Sequence, residues 1–124
     1  MSFIPFHTID WKDIPVTEHH GLGGKALWQT RQYGSLRVRI VEYTPGYQAD
    51  HWCKTGHLVY CISGAMTCEL ADGSRYTLSE GMSYHVSDNA SMHRSTTDTG
   101  VKLLIIDGAF LKPHTTKIFN PWKM

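Results

Sequence analysis

Residues 57–78 read HLVYCISGAMTCELADGSRYTL, and this stretch decides the fold class. Residues 57–62 form one strand-length apolar run, closed by Ser63-Gly64. Residues 65–71 form a second phrase that ends at Asp72-Gly73. Those two residues can take the positive φ values of a tight type I′ turn. The strand through Leu70 is therefore expected to fold back onto Arg75-Tyr76-Thr77-Leu78. Upstream, residues 36–43 alternate, are rich in β-branched side chains, and stop at Pro45-Gly46. Residues 26–32 read as another strand, after the loop Gly21-Leu22-Gly23-Gly24. Downstream, Gly81 precedes a candidate strand over 82–86, and the most apolar run is 101–106, expected to be buried. No segment carries a convincing amphipathic helix. Many short strands with turn signals between them predict an all-β barrel or sandwich.

The whole chain, 124 residues, fits one domain. A barrel is expected over about 26–107, with arms at 1–25 and 108–124. Both arms carry aromatics (Phe3, Phe6 and Trp11; Phe110, Phe119 and Trp122) expected to cover a barrel end or a second subunit, so a homodimer is anticipated. Hydrophobic residues at 41% and charged residues at 19% are globular proportions. A formal charge of +1 gives no electrostatic case for nucleic acid or an anionic membrane. No apolar run approaches the roughly 20 residues of a membrane helix, and no secretory signal is visible, so a cytoplasmic location is expected. The odd cysteine count (Cys53, Cys61 and Cys68) reads as free thiols.

Histidine is the abundant polar type: His7, His19, His20, His51, His57, His85, His93 and His114. This excess points to metal or acid–base chemistry. The informative segment is residues 46–57, GYQADHWCKTGH. His51 and Cys53 are two apart, so an extended strand would put them on one face, with Cα atoms about 6.5 to 7 Å apart. His57 follows after a short bend, and His93 arrives from far along the chain. Ligands drawn from separate strands suit an open metal site inside a small barrel.

This spacing resembles the cupin superfamily of small β-barrels, whose fold is a jelly-roll-like double-stranded β-helix. Gly46 matches the opening glycine of the first cupin motif and His51 its first histidine. Cys53 stands at the second histidine, His57 at the acidic position and Gly64 at the closing glycine. Gly81 and His93 match the second motif with one extra residue, and its usual internal proline and glycine are absent. The chain looks most similar to the single-domain cupins named after a DHCW motif. Asp50-His51-Trp52-Cys53 supplies those letters with the last two exchanged.

The resemblance implies metal binding by His51, Cys53, His57 and His93. It implies a divalent transition metal, iron, zinc or nickel foremost, because thiolate and imidazole form a soft set. It also implies a small organic substrate and an oxygenase-like, isomerase-like or lyase-like reaction. A non-enzymatic ligand-binding module and a structural metal-binding barrel are the alternatives, since fold does not dictate function. Cysteine is often mere core filling, which is the reading for Cys61 and Cys68. His19-His20 is expected in a surface loop and His85 is expected to be exposed. Arg94 is expected in structural pairing and Asp50 behind His51 as an orienting acceptor. Arg37 and Arg39 are read as an exposed polar strand face. Should that face turn inward, Arg39 and Tyr43 become candidates for an anionic substrate.

Overall fold

The computed structural model describes residues 3–113. Eight strands follow in chain order: β1 (Thr17–His20), β2 (Lys25–Tyr33), β3 (Leu36–Tyr43), β4 (His57–Leu70), β5 (Arg75–Ser79), β6 (Ser83–Val86), β7 (His93–Thr96) and β8 (Val101–Asp107). The hydrogen-bonded order is β1-β2-β3-β8-β4-β5, with β6 and β7 also on β4, and every named strand pair is antiparallel. The expected all-β architecture is therefore present. Among the described residues no helix is long and apolar enough to cross a membrane.

β4 organises the rest, and here the structure differs from the sequence reading. Ser63-Gly64 is not a turn between two strands. One strand runs through it, pairing first with β6 and β8 and then with β5 and β7. The register against β8 shifts between Cys61 and Ser63. A one-residue shift moves the buried set from odd to even positions. Accordingly His57, Val59 and Cys61 are buried before the bulge, and Met66 and Cys68 after it. The strand thus turns a corner and serves both faces of one core. That core holds Val41, Val59, Cys61, Met66, Cys68, Leu78, Val101, Leu103 and Ile105. Cys61 and Cys68 are core filling, as expected.

The β4–β5 connection also departs from the two-residue turn. Leu70 N donates to Ser74 O at 2.8 Å, and Gly73 N donates to Leu70 O at 2.9 Å. Only Gly73 has a positive φ, at 92°, while Asp72 accepts from Ser74 N at 2.8 Å. This is a three-residue loop with glycine at its left-handed position.

On β3 the residues of odd number face inward, so Arg37 and Arg39 are not an exposed polar face; Arg39 is only 4% accessible. At the N-terminal end, the Gln29 amide donates to Trp11 O at 2.6 Å and Ile14 O at 3.0 Å, which lays that segment on β2. His19 and His20 lie in exposed strand β1, not in a loop, so the segment expected as an arm adds an edge strand. Phe3 and Phe6 are exposed. His114, Phe119 and Trp122 lie outside the described residues.

Gly64 carries the corner, with φ of 81°, and a Cβ there would stand 2.3 Å from Gly100 O. Gly64→Ala is expected to cost more than 2 kcal/mol, because a backbone clash adds to a left-handed penalty of about 1–2 kcal/mol. Gly73→Ala, with open space around it, should cost only that penalty. Urea unfolding of the two variants tests the ranking, and equal losses would contradict it.

Candidate metal centre

The inward rows of β3, β8 and β4 are apolar in the middle and polar at one end. Arg37 pairs with Asp107 across β3 and β8, and Leu58 pairs with Ile106 across β4 and β8. His57, at the start of β4, therefore stands beside Asp107, at the end of β8. Asp107 accepts from Arg37 Nε at 2.9 Å, Arg37 Nη2 at 3.0 Å, Arg39 Nη2 at 3.0 Å and His57 Nδ1 at 3.1 Å. Burial alone would raise the carboxyl's pKa, but the hydrogen bonds from His57 and Arg37 and the charges of both arginines outweigh it. Asp107 is held well below the ordinary carboxylate range.

A second device brings in Cys53 and His93. Cys53 N donates to His93 O at 2.7 Å, and His93 N donates to Cys53 O at 3.1 Å. This bridge fixes the two residues opposite each other, although the segment around Cys53 is not a strand. Cys53 Sγ lies 3.5 Å from His57 Nε2, and the His57 and His93 rings meet edge to face at 5.3 Å. One donor atom each from Cys53, His57 and His93 lies within 4.8 Å of the other two.

The hydrogen bonds fix which ring atoms carry protons. His57 Nδ1 faces a carboxylate, and His93 Nδ1 faces Ser91 O at 3.0 Å, a group that only accepts. In the neutral rings the proton therefore sits on Nδ1, and each Nε2 is a lone pair. His93 Nε2 is buried and has no hydrogen-bond partner among the described residues. The Cys53 thiol is drawn down to about 5. Burial resists ionisation, but the adjoining His57 and His93 rings in their protonated form and a backbone contact at Thr55 prevail. Burial opposes protonation of His57 too, yet Asp107 and Cys53 raise its pKa overall. Once the Nε2 protons leave, two imidazole lone pairs and a thiol sulfur converge. That donor set fits a soft or borderline transition metal.

The structure brings three of the four sequence candidates together and leaves the fourth apart. His51 is 76% exposed in its side chain and donates from Nδ1 to Asp50 Oδ1 at 2.6 Å. The two-residue alternation invoked for His51 and Cys53 requires an extended strand, and residues 49–52 form none. His51 nevertheless lines the same cavity, of about 250 Å³, together with Cys53, His57, His93, Arg37, Arg39 and Tyr43. Asp50 holds His51 as anticipated. Arg94 pairs with Glu69 at 2.7 Å and lies over Trp52 at 4.3 Å, as expected of a structural partner. His85 is exposed.

Asp107 was missed from sequence. The available signal was a carboxylate at an inward position closing the most apolar run, after buried Val101, Leu103 and Ile105. Asp107→Ala strands three cationic or polar donors and is expected to cost about 3–5 kcal/mol of stability. Asp107→Asn, which keeps the shape, should weaken metal affinity about 10–100-fold by loosening His57. Urea unfolding and zinc titration, respectively, check the two effects, and wild-type values in both would refute this role.

No family model matches the sequence, and no curated protein matches it. Solved structures do. An ectoine synthase from P. lautus is 15% identical over 83% of this chain and 78% of its own, with a TM-score of 0.70. An RmlC-like cupin from Shewanella frigidimarina is 18% identical over 84% of this chain and 91% of its own, with a TM-score of 0.65. HppE in its iron(II) form is 11% identical over 82% of this chain and 60% of its own, with a TM-score of 0.67. Such identities speak for the fold alone. The chain has the fold of a single-domain cupin β-barrel.

Proposed function

We propose that this protein is a metal-dependent enzyme acting on a small organic molecule, with Cys53, His57 and His93 holding a first-row transition metal. The observation that carries the reading is the buried His93 Nε2, a lone pair with no partner, beside a second imidazole and a thiol of lowered pKa. Leaving such a group unsatisfied costs about 1–3 kcal/mol, and a cation relieves that cost. Iron, zinc and nickel suit the donor set, and the neighbouring fold described with iron(II) agrees with the first of these. When bound, such an ion supplies Lewis-acid polarisation of a carbonyl or enolate oxygen and, if it is iron, reaction with dioxygen. Oxygenase-like and isomerase- or lyase-like reactions both fit that chemistry.

The chain's own residues do the positioning. Asp107 keeps the His57 proton on Nδ1, and Ser91 O does the same for His93. Three convergent donors next to a cavity favour an open site over a closed structural one. His51, on the cavity wall and paired with Asp50, stands as the fourth candidate ligand. The Asp50-His51-Trp52-Cys53 segment thus supports the closer kinship with the DHCW-named cupins. Exposed Phe3 and Phe6 support the homodimer reading. A binding module without turnover is the competing function, and assay of metal-loaded protein against candidate substrates separates the two.

Element-resolved metal analysis of untagged protein tests the site. One first-row metal per chain is expected in the wild type. His57→Ala and His93→Ala should lose it on dialysis, Cys53→Ser should hold it more weakly, and His51→Ala should keep most of it. A consistently metal-free wild type, or full occupancy in both His57→Ala and His93→Ala, would defeat the proposal.

A further inference from the structure

The cavity beside Cys53, His57 and His93 has an imbalance of charge that the metal donors do not remove. Arg37 and Arg39 both line it, and both turn to a single carboxylate, Asp107. Arg37 spends two hydrogen bonds there, in the bidentate arrangement that neutralises a guanidinium well. Arg39 spends one, from Nη2. Its Nε is buried and has no hydrogen-bond partner among the described residues. Among those residues no Asp or Glu lines the cavity, and Arg94 at its rim is occupied by Glu69. One buried guanidinium, 4% exposed, is therefore left with half a partner. The inference rests on the proposed metal site only for where the body of the ligand points, toward Cys53, His57 and His93.

The walls say what shape of anion fits. Arg39 lies over the Trp28 ring at 4.4 Å, so one face of the guanidinium is covered and its edge is what remains to bond. Tyr43 and Tyr47 stack at 4.3 Å and 13° on the same cavity. A volume of about 250 Å³ lies just below the usual range for small-molecule sites, so the occupant is small. One uncompensated positive charge matches a monoanion better than a phosphate dianion. Flat aromatic walls match a flat, conjugated body.

We propose that the ligand of this site is a small planar monocarboxylate, an aryl or α,β-unsaturated acid, with its carboxylate on Arg39 and its body directed toward Cys53, His57 and His93. Arg39 then acts as the specificity-determining residue for the acid group, and Trp28 holds its guanidinium in plane.

Calorimetric titration of the full-length protein with benzoate, benzamide and inorganic phosphate tests this, in both zinc-loaded and metal-free samples. Benzoate should bind at least tenfold more tightly than benzamide, and more tightly than phosphate, in both samples, because the Arg39–Asp107 pair needs no metal. Arg39→Lys, which keeps the charge but loses the planar fork, should weaken benzoate about tenfold or more while zinc content stays at the wild-type value. Equal affinity for benzoate and benzamide in the wild type, tighter binding of phosphate, or unchanged benzoate affinity in folded Arg39→Lys would each overturn the proposal. Failure of the metal reading shows itself separately, as absent zinc uptake with the benzoate preference intact.

Discussion

The Asp107 carboxylate, buried at the open end of the sheet, is the constraint on which the site depends. From β8 it takes hydrogen bonds from two arginines on β3 and one histidine on β4. In a poorly solvating interior two guanidiniums would repel each other, so the carboxylate is what lets Arg37 and Arg39 share one wall. The same group holds the His57 proton on Nδ1 and thereby turns Nε2 toward Cys53. Ring orientation, charge balance and strand closure all pass through one side chain.

The register of the strands makes this convergence possible. Val41, Leu103 and Cys61 form an apolar layer on β3, β8 and β4, and the arginine, aspartate and histidine row lies beyond it at the end of the same strands. The core thus excludes water from beneath the site without contributing polar groups. Cys53 and His93 reach the same point by a different route, through a two-residue backbone bridge that ties a loop to β7. The site therefore joins rigid sheet on one side with a pinned loop on the other, and the loop contributes the softest donor.

Much of this was legible in the sequence. Strand-length phrases between turn signals located β2, β3, β5, β6 and β8, and the resemblance to cupins singled out Cys53, His57 and His93, which the fold brings together, along with His51, which it does not. What failed did so for definable reasons. Ser63-Gly64 reads as a turn because glycine permits one, but its own pairing with Lys102 and Val101 of β8, continued by the pairing of Ala65 with β5, makes it a corner within β4. His51 was placed by strand periodicity in a segment that is not a strand. Alternation showed that Arg37 and Arg39 share a face; it could not show which face. Only the pairing with β8, and Asp107 in particular, decides that the face is inward.

That last point bears on what the site recognises. A buried arginine pair is costly, and a fold that needed only stability could fill those positions with apolar side chains at no loss. Here Arg37 is fully matched by Asp107, while Arg39 keeps an unpartnered N–H beside a cavity. The mismatch is local: it belongs to a side chain that lines the same cavity as Cys53, His57 and His93. An anionic ligand would complete the hydrogen bonding that the chain leaves open. It would also be carried to the neighbourhood of the convergent donors by the attraction that seats it. Binding of the acid group and placement of the reacting part are then two consequences of a single imbalance in charge.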